Sequence, residues 1–300
     1  MIMLNPLSLP RKLFRRHPVP AALICVLTLF FTLWGFWWEP RQLVTVRQTL
    51  ALPGWPAGAG PLRVALISDL HAGGPFVKPE KIREIVTRIN AENPDLVLIA
   101  GDFISESLYG HRGIIGVVGG HYLDPEKIAE PLAALHPRYG VFAVLGNHDW
   151  HYRPDKLTAA LAVNHVTVLE NRAVALPGGL WLAGIGDLFA GRNDLALAFK
   201  EIPPGAKVIA LMHNPDLFPQ LPASAILGIA GHTHGGQVSL PFIGPPFTSS
   251  RYGQRYVHGH IVENGRDFFV TSGIGETGLP VRFRVPPEIV ILTLGGDPSR

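Results

Sequence analysis

Nine apolar runs of strand length are spread along this chain, and most of them stop abruptly at a glycine, a carboxylate or an imidazole. They lie at 63–68 (RVALIS), 95–100 (DLVLIA), 141–145, 166–169, 181–185, 207–211 (KVIAL), 225–230, 268–271 and 289–294. Their aliphatic, β-branched character and near-continuous apolarity describe strands covered on both faces. Helical patterns separate several of them. Residues 79–91 place Ile82, Ile85, Val86 and Ile89 on one face, and shorter patterns occupy 125–135, 154–163 and 194–199. Strands alternating with helices give an α/β fold. With this many strands, the expected architecture is a four-layer αββα sandwich, two mixed sheets packed together and flanked by helices.

A separate feature precedes this domain. No charged residue occurs from Val19 to Trp38, and at about 1.5 Å per residue a helix over that run spans roughly 30 Å, one hydrocarbon core. Arg11, Lys12, Arg15 and Arg16 precede it, Trp34, Trp37 and Trp38 close it, and Glu39-Pro40 ends it. The small-residue pattern of a signal-peptidase site occurs only at Ala57 to Ala59, far beyond the apolar region, so the run reads as one uncleaved N-terminal transmembrane helix. The chain then divides into a basic segment 1–18, an anchor 19–38, a breaker-rich linker 39–60 and a domain over 61–295. The basic residues before the span place the N-terminus in the cytoplasm and the domain across the membrane. Lys and Arg total 26 against 23 acidic residues, too small an excess for a nucleic-acid footprint. The single cysteine, Cys25, excludes an internal disulfide.

The chemistry sits where the strands end. Asp69-Leu70-His71, Gly101-Asp102, Gly146-Asn147-His148-Asp149, His213-Asn214 and Gly231-His232-Thr233-His234 each follow an apolar run. In α/β sheets the crevice beyond the carboxyl ends of the strands is where ligands bind, so these side chains converge without being close in sequence. Carboxylate, imidazole and amide oxygen without thiolate suit Mn, Fe or Zn, and seven such groups suffice for two divalent ions sharing one carboxylate.

Taken in order, D-x-H, G-D, G-N-H-D, H and G-H-x-H resemble the calcineurin-like metallophosphoesterases over roughly residues 61–295. The resemblance implies that Asp69, His71 and His234 bind one ion, that Asn147, His213 and His232 bind the other, and that Asp102 bridges them. It implies that His148 faces the scissile phosphate, held by Asp149, while a metal-bound hydroxide attacks. Protein Ser/Thr phosphatases of this superfamily carry Asp-Arg soon after G-D, whereas this chain has Phe103-Ile104-Ser105-Glu106. Purple acid phosphatases place a tyrosine where Ser105 stands. The anchor and the continuation Gly235-Gly236-Gln237-Val238 look instead like the membrane-anchored bacterial phosphodiesterase branch, some of whose members hydrolyse UDP-diacylglucosamine. That implies a single-pass protein of the bacterial inner membrane and a lipid-linked phosphoester or pyrophosphate substrate.

Two long connections are candidates for shaping the substrate site: 103–124, with Ile114, Ile115, Val117 and Val118 among glycines, and 237–260, with Arg251 and Arg255 as partners for a second phosphate. His111, His121, His136, His151, His165, His258 and His260 read as ordinary loop histidines. A catalytically inactive scaffold on the same fold is the competing function. A degenerate site would have replaced a ligand or His148, and every motif position here is filled. UDP-diacylglucosamine is made on the cytoplasmic side, so that substrate and the orientation read from the basic residues exclude each other.

Overall fold

The alternation of strands and helices sorts into two six-stranded sheets in a computed structural model that describes residues 18–105, 109–110, 113–114 and 117–296. The strands are β1 (Val44–Ala51), β2 (Leu62–Ile67), β3 (Leu96–Ile99), β4 (Tyr109–Gly110), β5 (Gly113–Ile114), β6 (Val141–Ala143), β7 (Val166–Val168), β8 (Arg172–Ala175), β9 (Leu180–Gly184), β10 (Lys207–Leu211), β11 (Ala225–Ala230), β12 (Gly259–Glu263), β13 (Arg266–Val270) and β14 (Glu288–Gly295). The first sheet runs β1-β14-β2-β3-β6-β7 and the second β12-β13-β11-β10-β9-β8, while β4 and β5 form a separate hairpin. Both sheets are mixed. β2, β3, β6 and β7 are mutually parallel, as are β9, β10, β11 and β13, with antiparallel neighbours toward the edges.

The strand period decides which side chains meet. In β2, Val64 and Leu66 enter the core between the sheets, while Ala65 and Ile67 face the opposite side. That opposite side is covered by the helix Pro79–Ala91, whose Ile82, Ile85, Val86 and Ile89 are all buried. Ile209, Leu211, Leu227 and Ile229 complete the intersheet core from the second sheet. A third apolar cluster, including Ala210, Phe218 and Phe268, covers that sheet's outer face under the 3-10 helix Pro215–Gln220.

Two expectations change. Part of the segment 39–60, expected to be linker, is β1, an edge strand paired in parallel with β14 from Val44↔Glu288 to Ala51↔Gly295. Its alternating polar residues leave it half exposed, but Leu50 and the following Leu52 are buried between the sheets. The expected helix 125–135 is α-helical only over Pro125–Ala129 and continues as a 3-10 turn over Glu130–Ala134. Pro131 cannot supply the N–H that an α-helix needs there. The apolar connection 103–124 lies partly outside the described residues, Ile115 among the parts that do; Val117 is buried and bridges to Gly278.

The apolar N-terminal run is helical over Pro18–Leu33, followed by a π-helical turn Trp34–Trp38 and a 3-10 turn Glu39–Arg41. Ala22–Arg41 is long and apolar enough to cross a membrane, and little of it is buried. Its end is docked on the domain. The Arg282 N–H donates to the Gly35 carbonyl (3.0 Å), and the buried Glu39 carboxylate accepts the Val285 N–H (2.6 Å) and the Trp34 indole N–H (2.5 Å).

A chain shortened to begin at Pro61 is expected to be less stable than one beginning at Gln42 by about 3–6 kcal/mol, because two leucines leave the intersheet core. Urea unfolding of the two chains checks this, and an unchanged midpoint would show β1 to be dispensable.

Candidate metal centre

Five loops deliver the site, each from the carboxyl end of a strand. β2 leads to Asp69 and His71, β3 to Asp102, β6 to Asn147, His148 and Asp149, β10 to His213, and β11 to His232 and His234. Every residue expected from the sequence to be a ligand is therefore at this rim, and both sheets contribute. Asp69, His71, Asp102, His232 and His234 all have left-handed backbone, with φ of 52°, 42°, 55°, 70° and 52°. Such conformations are costly for residues other than glycine and persist where the surroundings enforce them, typically at functional sites.

The surroundings of these residues are tightly packed. A Cβ at Gly146 would lie 2.2 Å from Asp102 Oδ1, and one at Gly231 would lie 2.5 Å from Asp69 Oδ2. Glycine at these two positions is what lets the carboxylates reach neighbouring backbone. Asp102 Oδ1 accepts the His148 N–H (2.9 Å), and Asp69 Oδ2 accepts the His232 N–H (3.0 Å).

The remaining oxygens face imidazoles. Asp102 Oδ2 lies 3.5 Å from His71 Nε2 and 3.2 Å from His213 Nε2, while Asp69 Oδ1 lies 3.4 Å from His234 Nε2. His71 Nε2 and His234 Nε2 are 3.2 Å apart, as are His232 Nδ1 and His213 Nε2. Three groups can each gather around one cation: Asp69, His71 and His234; Asp102, His213 and His232; and His71, Asp102 and His148. Asp102 and His71 each belong to two of them.

The donor chemistry fits divalent metal ions. Nitrogens bound to one tetrahedral metal at about 2.0–2.1 Å lie roughly 3.3 Å from each other, close to the separations of these imidazole pairs. Nδ1–H of His213 donates to the Ala100 carbonyl (2.6 Å) and Nδ1–H of His234 to the Gly275 carbonyl (3.2 Å), so in the neutral ring, the form that binds a metal, each Nε2 carries the lone pair. Asp69 Oδ1 and Asn147 Oδ1 are buried with no hydrogen-bond partner, the condition of oxygens arranged for a cation.

The electrostatics agree. Burial pushes the Asp69 carboxyl up to about 6, with His213 opposing it and Asp102 adding to it. Burial pushes His71 and His232 down to about 3, aided by their imidazole neighbours, and holds His234 well below the usual histidine range. Burial alone would raise Asp102, but His213 and His148 outweigh it and hold that carboxyl well below its ordinary value; Asp102 in turn overcomes burial to hold His213 well above its own. The pocket is thus two buried carboxylates among mostly neutral imidazoles.

His148 and Asp149 differ in their surroundings. The half-buried His148 ring stands edge-on to His71 at 4.7 Å between centroids, and among the described residues its ring nitrogens make no hydrogen bond. Asp149 is fully buried, and its oxygens accept the N–H groups of Phe103 (2.8 Å), Ile104 (3.1 Å) and Gly146 (3.0 Å). Its partners are therefore backbone, not the His148 ring, and it ties the loop after β3 to the loop after β6. Burial and the nearby Asp102 push its carboxyl up to about 8.

Other expected groups are engaged elsewhere. Arg251 pairs with Asp216 (3.2 Å) and Arg255 with Glu263 (2.7 Å), so neither stands free for a phosphate. His258 contacts Glu288 and His260 contacts Asp267, while His111 lies outside the described residues. Arg282, fully buried, is a support that sequence reasoning missed. It donates to the carbonyls of Ser272 (3.0 Å), Gly275 (2.6 Å) and Val285 (3.0 Å), beside Glu276 at 3.4 Å. Gly275 is the carbonyl that also receives His234 Nδ1–H. The run Thr271-Ser272-Gly273-Ile274-Gly275-Glu276 directly follows β13, so the strand-end rule that located the ligands also points to this segment.

The sequence comparisons agree with this geometry. Residues 62–263 match the model of the calcineurin-like phosphoesterase family. The Bacillus subtilis metallophosphoesterase YkuE is 28% identical over 85% of this chain and 87% of its own length. The Escherichia coli phosphodiesterase YaeI is 29% identical over 85% of this chain and 90% of its own. The Chlamydia trachomatis UDP-2,3-diacylglucosamine pyrophosphatase LpxG is 26% identical over 86% and 91%. A Helicobacter pylori metallophosphoesterase is 30% identical over 78% of this chain, which spans 60% of that longer protein. With two thirds of its residues matched by the family model and the family's metal-dependent hydrolytic motifs converging at one rim, this chain belongs to the calcineurin-like phosphoesterases.

Proposed function

We propose that this metal-dependent phosphoester hydrolase is a membrane-anchored phosphodiesterase or pyrophosphatase acting on a lipid-linked substrate. The observation that carries the reaction is the pair of adjacent ligand clusters meeting at Asp102 Oδ2, which lies within 3.5 Å of His71 on one side and 3.2 Å of His213 on the other. Asp69, His71 and His234 would hold one divalent ion, Asn147, His213 and His232 the second, with Asp102 shared. When bound, such a pair supplies Lewis-acid charge for the phosphoryl oxygens and activates water for in-line attack.

The chain's own residues do the remainder. Ala100 and Gly275 carbonyls keep His213 and His234 in the tautomers that face the site. Asp149 fixes the backbone from which Asn147 and His148 project. Among the described residues the His148 ring nitrogens make no hydrogen bond, which leaves the ring available to donate a proton to the departing ester oxygen and to offset charge on the phosphoryl group. Phe189 stands edge-on to His232 at 5.0 Å and is half exposed, an apolar rim at the second cluster.

The substrate class rests on the helix Pro18–Leu33 and on LpxG, a relative whose name is that of a lipid-nucleotide pyrophosphatase. An anchor confines the site to the membrane surface, raising its effective concentration toward lipids. The basic residues before the span support an extracytoplasmic domain, which favours an envelope lipid phosphoester over UDP-diacylglucosamine. Turnover of a lipid pyrophosphate, a lipid phosphodiester and soluble monoesters and diesters by the metal-loaded full chain tests the assignment. Preference for soluble monoesters would remove it.

The loaded chain is expected to hold two divalent ions and to lose activity on chelation, and Asp102→Asn should lower the content of both. Metal analysis showing one ion in an active preparation would refute this. His148→Ala is expected to lower kcat by roughly 10²–10⁴ at unchanged metal content. Asp149→Ala should act differently, leaving three buried N–H groups unpaired and lowering stability by about 3 kcal/mol or more. Urea unfolding measured beside metal content separates these two roles.

A further inference from the structure

Outside the metal centre, the loop 238–247 carries a concentration of apolar surface with no partner among the described residues. Leu240, Phe242, Ile243 and Phe247 are exposed there, Phe242 completely, and Leu279 is exposed on the adjoining segment. A contiguous exposed apolar patch on a folded domain marks an interaction site. The loop is braced rather than slack. Leu240 and Gly244 exchange backbone hydrogen bonds (3.0 and 2.9 Å), and the Gln254 side-chain amide donates to the carbonyls of Ile243 and Pro245, both at 3.0 Å. Phe242 is held at φ 67°, a conformation unfavourable for an aromatic residue. The fold thus maintains a bare phenylalanine at a strained, tied-down tip.

What covers this tip follows from its neighbours. The Ser239 N–H donates to the Phe283 carbonyl (2.9 Å), and the Phe283 ring meets Phe31 of the N-terminal helix edge-on at 5.7 Å. Phe283 also lines an apolar cleft of about 420 Å³ shared with Phe30, Trp34 and Trp38. The base of the loop and the final turns of the apolar helix are therefore attached to one short segment. At the loop's other end, Phe247, Thr248 and Ser249 wall a cleft of about 190 Å³ that opens beside His234.

We propose that the tip 240–247 is a membrane-inserting lobe, embedded beside the N-terminal helix in the same leaflet, which holds the mouth of the metal centre against the lipid headgroups. Aromatic and aliphatic side chains on a rigid support enter the headgroup and acyl boundary for the same reason that an amphipathic helix does. This deepens the lipid reading of the site and rests on the helix being an anchor. A soluble protein partner would also cover an apolar patch, but the continuity with the helix favours the bilayer.

The test places an environment-sensitive fluorophore at Phe242→Cys or at Leu29→Cys, each in a Cys25→Ser background, in the full chain reconstituted into vesicles of phosphatidylethanolamine and phosphatidylglycerol. Both probes are expected to be quenched by spin-labelled lipid and shielded from aqueous iodide. A lipid-exposed probe at 29 with a water-exposed probe at 242 would overturn the lobe and leave the anchor, and water exposure of both would overturn both. This readout needs no turnover, so it stands apart from any failure of the hydrolase assignment. In the second arm, Phe242→Ser with Ile243→Ser should leave hydrolysis of bis(p-nitrophenyl) phosphate unchanged and lower that of a vesicle-embedded lipid phosphodiester by about tenfold or more. Equal turnover of the vesicle substrate by parent and variant would refute the lobe's role in substrate access.

Discussion

One carboxylate joins the two halves of this molecule. Asp102 leaves the end of β3 in the first sheet, receives the His148 N–H on one oxygen, and presents the other to His213 from the second sheet and His71 from its own. Removing a charge of this kind from water is expensive unless it is matched by hydrogen bonds and opposite charge. The surrounding architecture supplies both. Glycine at 146 makes room for the carboxylate, and the sheets must dock for His213 to reach it. The packing of the fold and the chemistry of the site are therefore one constraint.

The parts that could be read from the sequence are those with one strong physical signature. Interior strands such as β10 and β11 are covered on both faces and are apolar throughout, so their limits were evident. Within the two large sheets, the strands that the apolar pattern does not mark, β1, β8 and β12, all lie at edges, where exposed or half-exposed residues such as Arg47, Arg172 and His260 interrupt it; the two-residue strands β4 and β5 are too short to show a pattern. The ligand residues were legible because strand termini concentrate them. Their supports were not. Arg282 bonds backbone carbonyls from a position with no motif of its own, and the Ala100 and Gly275 carbonyls act through backbone geometry, which no residue type announces. Asp149 was recognised as belonging to the site, but its partners were visible only once the loops after β3 and β6 were brought together.

The attachment of the N-terminal helix changes how the domain is held. Glu39, Gly35 and Phe31 all contact the segment 282–285, and Arg282 in that segment braces the carbonyl beneath His234. A flexible tether would leave the domain free to tumble relative to the helix. The docked end instead fixes the domain against the helix, so the direction in which the metal centre opens relative to that helix is a property of the fold.

The left-handed backbone at five of the ligand positions also filters which sequences the site can sample. At Asp69, His71, Asp102, His232 and His234 an incoming side chain must satisfy a steric condition before any question of coordination arises. Asparagine and glycine enter that region readily, whereas valine, isoleucine and threonine are penalised by about 1–3 kcal/mol. Drift at these positions is therefore steered toward Asn, Asp, His and Gly, three of which are themselves metal-binding side chains. The backbone alone biases the lineage toward retaining, or regaining, a site that can coordinate.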